Sequence, residues 1–175
     1  ALDKTFSAFS LRGLTLSSEI HNKVRYLKSH NITAIKKGTV SPDEYILFMA
    51  HWDHLGKVNT SNPNEDAIFN GAVDNATGVA SILEFAKRFS EIETDRSIVF
   101  LAVTLEESGL LGSEYFAKYP PIDLGNIVAG FNYDAILPTG LTKDMVVVGY
   151  GASELEDLLE SELEKTGRYI NPDPN

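Results

Sequence analysis

Two stretches of the chain are apolar without a break, and others are apolar at every third or fourth position. The unbroken runs are "YILFMA" (45–50) and "SIVFLAVT" (97–104). Such a run marks a strand covered on both faces, whereas a strand with one wet face alternates. "NIVAGFNYD" (126–134) and "MVVVGYG" (145–151) are also strand-like, "KVRYLK" (23–28) alternates apolar with basic positions, and "NITAIKKG" (31–38) alternates at its start. Between 31–38 and 45–50, "TVSPDE" carries Pro42 and Asp43 and predicts a turn. Residues 31–50 therefore predict a hairpin that enters a buried sheet.

Three segments predict helices. Val79, Ile82, Leu83, Ala86 and Phe89 recur at helical spacing within 74–91, after Asp74 and Asn75, where an N-cap belongs. Residues 106–120 begin with acids, continue in a short helical pattern and end at Pro120–Pro121. Residues 153–167 predict an amphipathic helix with Ser153 as N-cap, Leu155, Leu158, Leu159 and Leu163 on one face, and Gly167 at its end. A long polar loop covers 57–71, and the final "RYINPDPN" predicts a loop leading onward. Strands and helices alternate, so the expected class is α/β: a three-layer sandwich with a mixed, mostly parallel sheet flanked by helices.

Composition narrows the partners more than the chemistry. The 175 residues suffice for one domain with a sizeable core. A net charge of −10 argues against nucleic acid, whose phosphates need a basic surface. With no Cys, disulfides and thiolate metal sites are excluded. No apolar run approaches the roughly 20 residues that span a bilayer, so no membrane is expected. The first residue is Ala1 rather than Met, which predicts a processed or trimmed product.

The polar residues gather where α/β sheets collect ligands, beyond the C-terminal ends of strands. His51 and Asp53 follow 45–50, Glu106 and Glu107 follow 97–104, Asp134 ends 126–134, and Asp74 opens the helix at 74–91. Each has an ordinary explanation by itself. His51 would serve as a satisfied histidine, Asp74 as a helix cap, Glu106–Glu107 as a solvated helix start and Asp134 as a turn residue. Together they place one imidazole and several carboxylates on one rim, which is unfavourable unless a cation holds them. His and carboxylate ligands suit Zn²⁺, and carboxylate-rich sites suit a pair of ions about 3.5–4 Å apart. Of two consecutive glutamates, one can bind metal while the other accepts a proton from water. His54 is assigned a structural or supporting role, and His21 and His30 are expected at the surface.

The motifs "AHWDHLG", "NGAVDNATGVASILEFAKRF", "LEESGLLGSEYF" and "FNYDAI", in this order, resemble the M28 family of zinc aminopeptidases and related exopeptidases. The resemblance runs from about Asn31 to Asp134. It implies that His51 and Asp134 bind the first zinc, that Asp74 bridges both metals through a residue followed by a non-proline cis peptide, and that Glu107 binds the second zinc. It further implies that Asp53 orients His51 and that Glu106 is the general base. The implied activity is release of N-terminal residues from a peptide substrate. A carboxypeptidase-like or glutaminyl-cyclase-like activity and a non-catalytic peptide-binding module on the same scaffold stay open. A periplasmic or secreted location accompanies the resemblance.

Members of this family take one more ligand for the second zinc, a histidine in a C-terminal segment. No histidine follows His54. Residues 1–175 are thus expected to form a single partial catalytic domain, truncated at the C-terminus and inactive in that form. It would hold one zinc or none of the two in an intact domain. Apolar residues around 145–149 would lie on an exposed truncated face and allow self-association. Residues 1–30, with "FSLRGLTLS", are expected to be the return from an inserted protease-associated domain.

Overall fold

The computed structural model describes residues 13–24, 26–62, 64–136, 140–147 and 150–172. In chain order the elements are β1 (Ile32–Lys36), β2 (Ser41–His51), β3 (Gly56–Lys57), β4 (Ile68–Phe69), α1 (Ala76–Ser90), β5 (Arg96–Val103), α2 (Leu111–Lys118), a 3₁₀ turn (Leu124–Asn126), β6 (Ile127–Asn132), β7 (Asp144–Val147), α3 (Leu155–Glu164) and β8 (Tyr169–Pro172).

The main sheet has the order β1-β5-β2-β6. β5, β2 and β6 run parallel, and β1 is an antiparallel edge. The two unbroken apolar runs are thus the central pair, in register from Tyr45 opposite Ser97 to His51 opposite Val103. Alternate residues of this pair serve different layers. Val99, Leu101 and Val103 form a core with Phe116 of α2 and Ile122, against which Tyr45, Leu47 and Met49 pack. On the opposite face Phe48 lies at 5.4 Å from Phe85 and 5.8 Å from Phe89, both on α1, and stacks on Phe100 and Phe131. A helix on each face of a mixed, mostly parallel sheet is the three-layer arrangement expected from the alternation.

Several local expectations are corrected. The hairpin over 31–50 does not form, because β5 lies between β1 and β2. A strand apolar on both faces belongs inside a sheet, and β2 uses both edges, for β5 and β6. "SPDE" is not a turn but the irregular start of β2, with a register shift between Ser41 and Tyr45. The Ser97 hydroxyl donates to the Pro42 carbonyl there, and an irregular strand start tolerates a proline without N–H. "KVRYLK" forms no strand among its described residues. Val24, Tyr26 and Leu27 are exposed, since alternation makes a strand only where an edge receives it. Of "FSLRGLTLS", residues 9–12 lie outside the described residues, and 13–17 adopt neither strand nor helix.

The C-terminal part differs in two ways from its expectation. Tyr169–Pro172 is a strand, parallel to β7, so β7–α3–β8 is a crossover unit rather than a helix and a loop. Residues 148 and 149 of the predicted strand 145–151 lie outside the described residues. Ser153 does not cap α3 with its side chain. Instead Glu156 accepts the backbone N–H groups of Gly151, Ala152 and Ser153. Leu163 is the buried member of the leucine face, while Leu155 and Leu158 are exposed.

Candidate metal centre

His51 is the last residue of β2 and is 2% exposed. Its Nδ1 lies 3.0 Å from the Asp53 carbonyl oxygen. A carbonyl can only accept, so Nδ1 carries the hydrogen and the neutral ring turns a lone pair outward at Nε2. Facing that lone pair are Asp74 Oδ1 at 3.0 Å and Asp134 Oδ1 at 3.2 Å. With the ring neutral, three acceptor atoms would converge there with no hydrogen among them. A cation would supply the missing partner.

Two further observations agree. Asp74 Oδ1 is buried and makes no hydrogen bond, although it lies beside His51. A native fold seldom leaves such an atom unsatisfied. Burial alone would lower the His51 pKa, but its hydrogen bond to the Asp53 carbonyl and the Asp134 and Glu106 carboxylates outweigh it and raise the pKa. Protonation of His51 would supply one positive charge and one hydrogen, directed at Asp134. It would leave Asp74 Oδ1 unpartnered. A divalent ion satisfies all three. Arms of about 2.1 Å to N and O ligands give a tetrahedral edge of about 3.4 Å, close to the separations found.

Asp53 acts differently from the orienting carboxylate that the resemblance implies. Its carboxylate is 3.8 Å from His51 Nδ1, beyond hydrogen bonding. The Asp53 main-chain carbonyl holds the ring, and its Oδ1 accepts the Glu106 backbone N–H at 3.2 Å. One residue thus positions the histidine and secures the loop that carries both glutamates.

The peptide between Asp74 and Asn75 is cis, as the resemblance implies. Asn75 itself is more than a cap. Its Oδ1 accepts from Gly78 N–H at the start of α1 and from Ala135 N–H, and its Nδ2 donates to the Tyr133 carbonyl at 2.8 Å. The start of α1 is thereby tied to the end of β6, and Asp74 to Asp134. Gly78 permits this contact, since an added Cβ would lie 2.4 Å from Asn75 Oδ1 and from the Tyr133 carbonyl oxygen. The N-cap spacing was visible in the sequence. The bonds to Tyr133 and Ala135 were not, because they join residues about sixty positions apart.

Glu106 and Glu107 follow β5 after Leu105, which takes a positive φ of 56° and turns the chain out of the strand. Burial raises the Glu106 pKa. The His51 charge opposes that shift, and the nearby Glu107, Asp134 and Asp74 carboxylates add to it. Glu107 Oε1 lies 2.6 Å from His54 Nδ1. His51, Asp74 and Asp134 form one cluster able to hold a metal, and His54, Asp74 and Glu107 form another. All six residues singled out from the sequence reach this rim, and Asp74 belongs to both clusters.

The model of peptidase family M28 matches residues 31–175. The chain belongs to peptidase family M28. Within it, this member is 39% identical over 108 residues to a "Probable zinc metalloprotease" of Pyrenophora tritici-repentis, covering 60% of the chain and 24% of that protein. It is 29% identical over 112 residues to the aminopeptidase NAALADL1 of Mus musculus, covering 61% of the chain and 13% of the mouse protein. A solved leucine aminopeptidase precursor from Bacteroides thetaiotaomicron shares the fold, with a TM-score of 0.64 at 22% identity over 83% of this chain and 58% of that one. The M28 chain thus spans about a quarter or less of the two curated relatives. No helix among its described residues is long and apolar enough to cross a membrane.

Proposed function

We propose that this M28 chain carries the active centre of a zinc-dependent aminopeptidase, with Glu106 as general base. The observation that supports it best is the cluster of His51, Asp74 and Asp134, in which Asp74 Oδ1 is buried without a hydrogen-bond partner, beside a glutamate that belongs to neither metal-holding cluster. His51, Asp74 and Asp134 would hold a zinc ion tightly. Zinc bound there would polarise the scissile carbonyl and lower the pKa of water.

The chain's own residues do the rest. Asp53 fixes the His51 ring through its carbonyl and keeps Glu106 in place through the backbone N–H. Glu106 accepts a proton from the attacking water and returns it to the departing amine. Its raised pKa brings it nearer to neutrality, where a group can both take and give a proton. The open acidic rim suits a peptide's free ammonium terminus better than its carboxylate, which favours an aminopeptidase over a carboxypeptidase. A periplasmic or secreted location and self-association through exposed apolar residues such as Val146 and Leu158 belong to the same proposal.

The test is hydrolysis of aminoacyl anilides by the protein at its natural length, with and without a chelator. Activity lost on chelation, restored by zinc and absent in Glu106→Gln with metal retained is the expected result. A metal-loaded protein that binds peptides and never cleaves them would instead be a binding module.

A further inference from the structure

We propose that Asn31 is a positioning residue for the reaction: its side-chain amide closes the neck of the loop that carries Glu106 and Glu107, and so holds the general base at the rim. This rests on the zinc-peptidase reading of the rim. It adds a residue that belongs to neither metal-holding cluster.

Asn31 directly precedes β1, and its amide reaches both ends of the loop. Its Oδ1 accepts the Thr104 N–H at 3.1 Å, and its Nδ2 donates to the Gly112 carbonyl at 2.7 Å. Thr104 stands two residues before Glu106, and Gly112 lies in the first turn of α2. A backbone N–H can only donate and a carbonyl can only accept. The two partners therefore fix which way the amide faces, and neither an ionised carboxylate nor an apolar side chain serves both. The two ends also touch. The Leu111 N–H donates to the Leu105 carbonyl at 3.1 Å, and a Cβ added at Gly112 would lie 2.0 Å from the Thr104 carbonyl oxygen.

The loop needs this closure from outside. Leu105 and Leu110, on either side of the glutamates, take left-handed conformations at φ 56° and 61°. Such backbone is unfavourable for a bulky side chain and persists only where its surroundings hold it. Asp53 holds the loop at the Glu106 N–H, and Asn31 holds it at its two ends. The neighbours of Asn31 strengthen the grip. Ser29 Oγ and Thr104 Oγ1 are hydrogen-bonded at 2.6 Å, and Trp52 Nε1 donates to the His30 carbonyl at 3.1 Å. Residues 29–31 thus join the turn after β2 to the loop after β5. The sheet beneath has its own support, with Val99 and Leu101 fully buried in the α2 layer. Loss of the amide should loosen the loop and spare the sheet.

A merely structural role would unsettle both, and two measurements on the protein at its natural length separate the cases. The first is amide hydrogen exchange without metal. In Asn31→Ala the amides of Thr104, Leu110 and Leu111 should exchange about 10-fold faster, the order expected for two lost hydrogen bonds, while those of residues 98–101 keep their rates. The second is a double-substitution cycle with an aminoacyl anilide at saturating Zn²⁺. Asn31→Ala should lower kcat by about 10–100-fold and leave KM nearly unchanged, as when an orienting partner is removed. In the Glu106→Gln background the same substitution should cost nothing further, because the base it positions is already gone.

Asn31→Asp keeps the shape and the acceptor for Thr104 but loses the donor to Gly112. It should show the same pattern, and it carries the comparison if Asn31→Ala does not fold. Unchanged exchange over 104–112, faster exchange throughout β5, an unaltered kcat, or an equal further loss in Glu106→Gln would each overturn the proposal. A natural-length protein that cleaves nothing would sink the peptidase reading by itself, and the exchange rates would then decide whether Asn31 closes the loop.

Discussion

The central block of β2, β5, α1 and α2 and the C-terminal unit β7–α3–β8 are both parallel strands joined through helices, but they are built to different standards. In the first, Ala50, Val99 and Leu101 are fully buried, and each face of the sheet has its helix. In the second, Leu163 is buried, while Val146 is 60% and Leu158 65% exposed. The difference lies in what each strand pair is apolar toward. β2 and β5 offer apolar side chains to both faces and gain two layers of cover. β7 and β8 form a sheet of their own. The metal-ligating candidates stand on the first block and just after β6 beside it, and none of them on the second.

Four expected outcomes would break or sharpen this contrast. The largest belongs to the chemistry of the central rim. Glu106→Gln should lower kcat by about 10²–10⁴-fold, the usual worth of a positioned general base, with thermal stability unchanged. An equal loss from a substitution in α3 would erase the distinction. Next, Leu101→Ala should destabilise the fold by about 2–5 kcal/mol in urea unfolding, through lost transfer energy and a cavity in the packed layer. A smaller effect follows from removing metal. At a free-ion concentration about a hundred times the dissociation constant, bound zinc adds about 2.7 kcal/mol, which a chelator should withdraw as a lower Tm. His51→Ala should abolish that difference. The smallest effect is for Leu158→Ala, which should stay within about 0.5 kcal/mol of wild type in the same assay. A larger loss would show that a partner covers α3 in solution.

Legibility in the sequence followed the same division. The unbroken apolar runs marked β2 and β5 as interior strands, and the helical spacing of Val79, Ile82 and Phe89 marked α1. Position after a strand was enough to select His51, Glu106, Glu107 and Asp134, because a parallel sheet aligns its C-terminal ends. Strand order was not legible. Nothing near Ile32 or Tyr45 says that β5, some fifty residues later, will come between them. β8 was missed because Asn171 and Pro172 carry loop chemistry, and its pairing with β7 depends on a helix that returns the chain in parallel. His54 stood beside His51 in the sequence, but its closeness to Glu107 depends on a turn and on a loop from another strand. Asp53 was chosen for its carboxylate, while the contact to His51 comes from its carbonyl, which every residue type has.

Asn75 has a consequence for which ions the rim can hold. Its single amide joins the start of α1 to the end of β6, and so sets the gap between Asp74 and Asp134. That gap is a caliper with its jaws fixed from behind. Zinc asks for four ligands at about 2.0–2.2 Å. Calcium asks for six to eight oxygens at about 2.3–2.6 Å and would have to prise the jaws apart against the three hydrogen bonds of the Asn75 amide. On the zinc reading, the rim would sort ions by size before it sorts them by chemistry, and the gauge would be a neutral side chain outside both ligand clusters.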